Sequence, residues 1–549
     1  MSFIRSAVHD AVGLLAGVLI SGVAFAQAQN AQPPSVAANA LSGPYRIAGI
    51  VVNAATGDPV RRATVEALNE DDSRAVASCR TDNDGRFALE RLAEAKYQLT
   101  ASKRGFRTAF YDEHDEYATS IVTGPDQDTS HLQFKLTPGA VLHGVVTGNA
   151  GEPVAEARVM LFKGPKHPGA GERIAQADTA LTDDTGAYEF GDIAAGEYLL
   201  AVTAEPWYAV HEGSPAKRNA ALDVAYPVTY FDSTTEEGSA TPIMLAGGSR
   251  EEANISLHAL PALHLSISAP RKPDGSTAVP QIQETIFGNA IPSEVASGTT
   301  DTRFGTTEIG GIAPGHYELT QGDPPRIVDL DLTTSQQVEA NAGSAADAAE
   351  GRVRMVTGAP VPEEITLSLV RMSDGVGQSM YAAQAQRGRF KFDAVPPGQW
   401  ALAATNGNKA LPVVAVNAGG VQRPGNIVTL PGRAPDLVVT LSDAEARVEG
   451  FARKDGKGFA GAMIVLLPKN PAQWRALTRR DQSDSDGSFA LRGVAPGEYT
   501  VIAIEDGWPL DWTSPAAMAR YLPRATSVTV SDTSGTLIRL SSPITVQMR

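Results

Sequence analysis

Apolar and polar residues alternate with period two in short runs along this chain, as in Phe87-Ala88-Leu89 and Phe489-Ala490-Leu491. That is the pattern of a strand with one buried face. These runs open on Asp84-Gly85, Thr185-Gly186, Arg387-Gly388 and Asp486-Gly487, where glycine supplies the positive φ of a tight hairpin. A second turn follows at Ala195-Gly196, Pro314-Gly315, Pro397-Gly398 and Pro496-Gly497. A new strand begins directly after it, as in Glu498-Tyr499-Thr500-Val501-Ile502.

The hairpin recurs. Gly85, Phe87 and Tyr97 repeat as Gly186, Tyr188 and Tyr198, as Gly388, Phe390 and Trp400, and as Gly487, Phe489 and Tyr499. A weaker copy has Gly305 and Tyr317 with Thr307 at the first aromatic position. Glycine and second aromatic are twelve positions apart in all five copies, which marks a repeat protein. The second aromatic is expected to plug one end of each core. Upstream, Ile50-Val51-Val52 precedes Gly57-Asp58-Pro59-Val60, and His143-Gly144-Val145-Val146 precedes Gly151-Glu152-Pro153-Val154. This reads as strand, tight turn, strand.

Several short strands per module with regular turn signals predict an all-β protein, a tandem array of about five antiparallel β-sandwich modules. The expected divisions are a signal peptide at 1–26, a disordered linker at 27–42, and modules at 43–137, 138–262, 263–345 (degenerate), 346–443 and 444–549. Asn341–Ala349 reads as a small-residue linker. Short helices are expected over Pro471–Thr478 and Ser514–Tyr521, the second with Ser514 as N-cap. An array of this kind is expected to span distance and present its loops.

The 549 residues are 42% hydrophobic and 20% charged, enough apolar material for several cores. Ala11–Ala26 is an apolar run ending in Ala24-Phe25-Ala26, after Arg5, the layout of a cleaved secretory signal. No later run reaches the roughly 18 apolar residues of a membrane helix. The mature chain is therefore expected in the periplasm or outside the cell, with no stable membrane insertion. A net charge of −16 argues against nucleic acid, which needs a basic face. Cys79 is the single cysteine, so no internal disulfide can form. It is expected as a buried thiol in a strand.

The run Gly144 to Val154 followed by Asp183 to Tyr198, and Gly450 to Gly458 followed by Asp484 to Tyr499, resembles the carboxypeptidase regulatory-like domain family, related to transthyretin-like and Cna-B-like modules. The resemblance covers nearly all of the mature chain, most strongly in the first, second and fifth copies. It implies a seven-stranded antiparallel sandwich per module. The whole also resembles multi-module secreted proteins of acidobacterial type, in which segments like Tyr226–Phe231 and Trp508–Tyr521 recur. The family name carries no peptidase activity here. Zinc carboxypeptidases need a His-x-x-Glu pair, whereas His114 and His211 are followed by Asp115-Glu116-Tyr117 and Glu212-Gly213-Ser214.

No G-x-S-x-G elbow, phosphate loop or H-E-x-x-H is present in the sequence. No catalytic residue, metal ligand or cofactor is assigned. Asp82-Asn83-Asp84-Gly85 and Asp484-Ser485-Asp486-Gly487 open like calcium loops but lack the later bidentate glutamate. Asx-turns explain them better. The acidic run Asp112–Glu116 is expected to be a solvated loop. Two aromatic groups fall outside the repeated hairpin: Trp508, Trp512 and Tyr521 in the fifth module, and Trp207 and Tyr230, with Tyr208, Tyr226 and Phe231, in the second. Exposed, these rings would stack on a sugar or seat a peptide; otherwise they cover the ends of their own sandwiches. The sequence thus points to a non-catalytic binding or scaffolding protein of the cell envelope that contacts a protein or a polysaccharide, with carbohydrate binding through the aromatic groups as the alternative.

Overall fold

The computed structural model describes residues 43–549 apart from 71–72, 165–173, 212–217, 269–279, 294–298, 302–305, 322–325, 340, 373–379, 432–434, 444–445 and 532–535. The signal peptide, the 27–42 linker and Gly305 lie outside the described residues.

The chain forms five β-sandwich modules, each around its own apolar core. The second shows how the alternation becomes a sandwich. Strand Ala140–Thr147 turns Ala140, Leu142, Gly144 and Val146 inward and the residues between them outward. It pairs antiparallel with Ala187–Ile193 and parallel with Arg250–Glu252 and Ile255–Ser256. The opposing sheet runs Ala175–Leu181, Arg158–Lys163, Gly196–Thr203, Thr229–Tyr230. A first strand held between the repeated hairpin and a parallel last strand recurs in all five modules. Gly144 is fixed by that last strand, because a Cβ there would lie 2.0 Å from the Ala253 carbonyl oxygen.

The second aromatic of the repeat makes the same hydrogen bond in all five modules. It donates to the backbone carbonyl four residues before it, across a turn that is Ala95-Lys96 in the first module and Ala-Gly or Pro-Gly in the other four. Tyr97 Oη bonds the Ala93 oxygen at 3.1 Å, Tyr198 the Ala194 oxygen at 2.9 Å, Tyr317 the Ala313 oxygen at 2.8 Å and Tyr499 the Ala495 oxygen at 2.8 Å. In the fourth module Trp400 does the same with its indole Nε1, 3.2 Å from the Pro396 oxygen. All five rings are buried. Each closes one end of a sandwich and bonds a carbonyl of the turn, which in the first module also accepts from Thr123 Oγ1.

A second device joins the turn to the core in the first, second and fifth modules. The buried hydroxyl of Thr81 donates to the Val60 oxygen and accepts from the Ala63 amide. Thr182 bridges the Val154 oxygen and the Ala157 amide, and Ser483 the Phe459 oxygen and the Ala462 amide. In the third module, buried Thr307 stands where the others carry Phe or Tyr.

The short helices form over Trp474–Leu477 and Pro515–Met518, the second capped by Ser514. Among the described residues no helix is long and apolar enough to cross a membrane. Cys79 sits half-buried on Ala75–Arg80, and burial pushes its thiol pKa up. The expected linker at 341–349 is instead strand. Ser344–Ala345 pairs with Arg326–Leu332, and Asp347 opens the first strand of the fourth module. The small side chains there are what allow burial, since Ala346 and Ala349 enter the interior.

Candidate interaction surfaces

Neighbouring modules are joined by specific side chains. Arg107 of the first donates to the Asp192 carbonyl of the second. Met160, Phe162 and Tyr230 of the second pack on Ile286, Phe287 and Ile291 of the third, with the Tyr230 and Phe287 rings edge to face at 5.0 Å. At the same joint Asp223 lies between His211 Nδ1 and His264 Nε2, 2.9 Å from each. Burial opposes the Asp223 charge, but the two imidazole hydrogen bonds outweigh it and hold the carboxyl pKa down. Arg371 of the fourth module meets Glu318 of the third at 3.4 Å. Gln473 of the fifth reaches the Val414 oxygen of the fourth.

The largest polar contact joins the two ends of the array. Lys96 Nζ of the first module lies 2.5 Å from Asp484 Oδ2 of the fifth and 2.9 Å from Ser488 Oγ. The Ser120 amide donates to Asp484 Oδ1, the Val122 amide to Ser485 Oγ, and the Ser485 amide back to the Ser120 oxygen. Gln482 Nε2 donates to the Asp112 carbonyl and to Thr119 Oγ1, while its Oε1 lies 3.1 Å from His114 Nδ1. Arg480 reaches Asp115 and Glu116 at 3.1 and 3.3 Å. Its guanidinium also sits 5.1 Å from the ring centres of Tyr117 and Trp512 and 5.9 Å from that of Trp508. The His114 imidazole stacks on Trp508 with centroids 5.3 Å apart and planes 7° apart. Cation–π contacts of this sort are worth about 0.5–2 kcal/mol each.

The acidic run Asp112–Glu116 is therefore not a free solvated loop. Asp115 and Glu116 pair with Arg480, and Asp112 and His114 meet Gln482, while exposed Glu113 accepts from the Phe110 amide of its own module. Nor does the array simply extend. The contacts run from each module to the next and from the fifth back to the first, a closed circuit.

The five aromatic candidates separate accordingly. Trp508, Tyr521 and the partly buried Trp512 come together in one cluster that takes in Tyr117 of the first module. Tyr230 is buried in the joint between the second and third modules. These rings cover the outer sheet faces of their own modules, opposite the sandwich cores, as well as contacts between modules. Trp207 stands apart, 86% exposed and edge to face with Tyr208. Nearby, Pro206, His211, Tyr226, Glu284 and Pro292 help line a cleft of about 50 Å³ between the second and third modules. Burial raises the Glu284 pKa there, against the nearby Tyr317 hydroxyl and a hydrogen bond from Ser293 Oγ.

The aspartates before the repeated glycine serve two purposes. Asp82 and Asp183 close Asx-turns, accepting from Asp84 and Arg86 and from Thr185 and Ala187. Asp484, at the same place in the fifth copy, is turned to Lys96 and Ser120, and Asp486 accepts from Ser488 instead. Among the described residues no group of three or more His, Cys, Asp or Glu side chains is placed to hold a metal ion. Lys96, Gln482, Arg480, Asp223 and His264 carry the joints without any local sequence signal, since their partners come from distant segments.

Residues 46–137 and 141–225 each match the carboxypeptidase regulatory-like domain family. It has no significant match among curated proteins. Among solved structures it is similar to the Bacillus anthracis TIE protein, with 10% identity over 88% of this chain and 68% of that one and a TM-score of 0.15. A Streptococcal ancillary pilin matches at 11% identity over 52% of this chain and 100% of its own, TM-score 0.20. The major pilin subunit BcpA of Bacillus cereus matches at 12% identity over 74% and 98%, TM-score 0.14. Superposition this loose carries no inference about role. The likeness to acidobacterial proteins finds no support in these comparisons.

Proposed function

We propose that the chain is a non-catalytic scaffold, exported to the periplasm or cell surface, that binds an envelope protein through its outward loops and sheet edges. The closed circuit of modules is the observation that supports this most. Aromatic and charged side chains of the insertions are committed to joints, which leaves a preorganised body with strand edges facing outward. Ala75–Arg80 and Ala175–Leu181 each pair on one side only and are largely solvent-facing, and such edges accept a partner strand. The test is capture by residues 27–549 from envelope fractions beside a panel of polysaccharides. Recovery of a protein partner with no glycan retention is expected; retention on one glycan overturns it.

Carbohydrate binding is kept as a second reading by Trp207, the candidate ring that stays open to solvent beside Tyr208. It expects Trp207→Ala to abolish retention on a saccharide without loss of folding. Substitution of Trp508, Trp512, Tyr521 or Tyr230 is expected to act through the joints first.

A further inference from the structure

The joint between the first and fifth modules is made mostly of hydrogen bonds and ion pairs, the composition of contacts that open and close. Its charges are out of balance at one end. Asp481, Asp484 and Asp486 of the fifth module and Glu70 of the first gather there. Lys96 and Arg492 answer them, with Arg492 3.1 Å from Glu70 Oε1. Asp484 is 6% exposed, and Glu70 Oε2 is buried without a partner. At the other end Arg480 answers Asp115 and Glu116 beside Asp112, His114 and Tyr117. Arg479 bonds the Gly493 oxygen within the fifth module. Four carboxyl groups crowd two cations around Asp484, and Lys96 and Ser120 of the first module are what cover Asp484 itself.

We propose that the contact between the first and fifth modules is a reversible clasp that tightens as the medium becomes more acidic and loosens as it becomes alkaline. This runs against the simpler expectation that acid breaks the Lys96–Asp484 pair. Burial raises the Asp484 pKa to about 6 and the Asp481 pKa to about 7, from an ordinary 3.8, even with Lys96 beside Asp484. Lys96 itself stays charged: burial lowers its pKa, but Asp484 more than compensates. A carboxyl whose pKa is higher in the closed state binds its proton more tightly there. Closure is therefore fully favoured below the open-state value and is weakened as pH rises through the closed-state value. Each unit of difference changes the closed-to-open ratio about tenfold, so Asp484 alone accounts for roughly a hundredfold between pH 4 and 7.

Hydrogen exchange of the mature full chain between pH 5 and 8 tests this, once the intrinsic pH dependence of exchange is removed. Segments 119–123 and 483–487 report the clasp through the Ser120, Val122 and Ser485 amides, and the second-module strand Gly196–Thr203 is the control. Protection of both clasp segments is expected to fall at least tenfold from pH 5 to 8 while the control stays constant. Asp484→Asn should flatten the slope. If that variant disturbs the fifth module, seen as lost protection over Gly497–Glu505, Asp481→Asn takes its place. Arg480→Ala should open the clasp at every pH and enlarge the radius of gyration. Protection that is independent of pH, or that rises with it, overturns the proposal.

Discussion

Removing one oxygen atom tests what the hydroxyl of the repeated aromatic contributes. In Tyr499→Phe the ring keeps its buried seat and loses only the 2.8 Å bond to the Ala495 oxygen. A neutral hydrogen bond contributes about 0.5–1.5 kcal/mol net, and a buried acceptor left alone costs about 1–3 kcal/mol. Ala495 is buried, so the expected loss is about 1–2 kcal/mol, or roughly 4–10 °C in the melting of a module of this size. Tyr499→Ala also empties the seat and should cost about 3–5 kcal/mol. The same comparison in the fourth module uses Trp400→Phe, which removes the 3.2 Å indole bond to Pro396 along with part of the ring. Native-state hydrogen exchange over Gly497–Glu505 and over Gly398–Asn406 reads each module separately, which a single melting curve for five modules does not. If Tyr499→Phe is neutral within about 0.3 kcal/mol, the aromatic serves by ring packing alone and the bond to the carbonyl contributes nothing.

Thr182→Val keeps the shape but removes both the 2.6 Å bond to the Val154 oxygen and the 2.8 Å bond from the Ala157 amide. It should destabilise the second module by about 2–3 kcal/mol in urea titration, with Thr182→Ser restoring most of it. Gly487 has φ +84° and would place a Cβ 2.4 Å from the Ala452 oxygen, so Gly487→Ala should cost more than about 2 kcal/mol by calorimetry. Trp508→Ala removes the plane on which His114 stacks and should raise exchange over residues 112–122 while leaving Gly196–Thr203 unchanged. Trp207→Ala, at an exposed site, should leave the melting temperature within about 1–2 °C of the parent chain.

The period-two runs, the hairpin glycines and the plugging aromatics were legible in the sequence because each acts within about fifteen residues. Gly85, Gly186, Gly388 and Gly487 all adopt positive φ as their turns require. The small-residue run 341–349 misled because alanine and glycine serve a linker and a tightly packed strand equally well. The joints were not legible. The Ser120 amide and Asp484 are 364 positions apart, and no local pattern tells Asp484 from Asp82 or Asp183, which occupy the same place in the repeat. The acidic run Asp112–Glu116 reads as solvated until Arg480 is known to face it. Trp508 and Trp207 both look like exposed insertion aromatics, and Trp508 is buried by its own module's outer sheet face together with His114 and Tyr117 of the first.

The closed circuit also changes how the chain would carry tension. In an open string of sandwiches, a pull on the two end modules loads every connection in turn. Here the same pull falls first on the Lys96–Asp484 and Arg480–Asp115 contacts. These polar pairs would part together with the His114 and Tyr117 contacts on Trp508, ahead of the sandwich cores themselves. Their rupture would release slack held between the end modules while each sandwich stays intact, and relaxation would let the ends meet again.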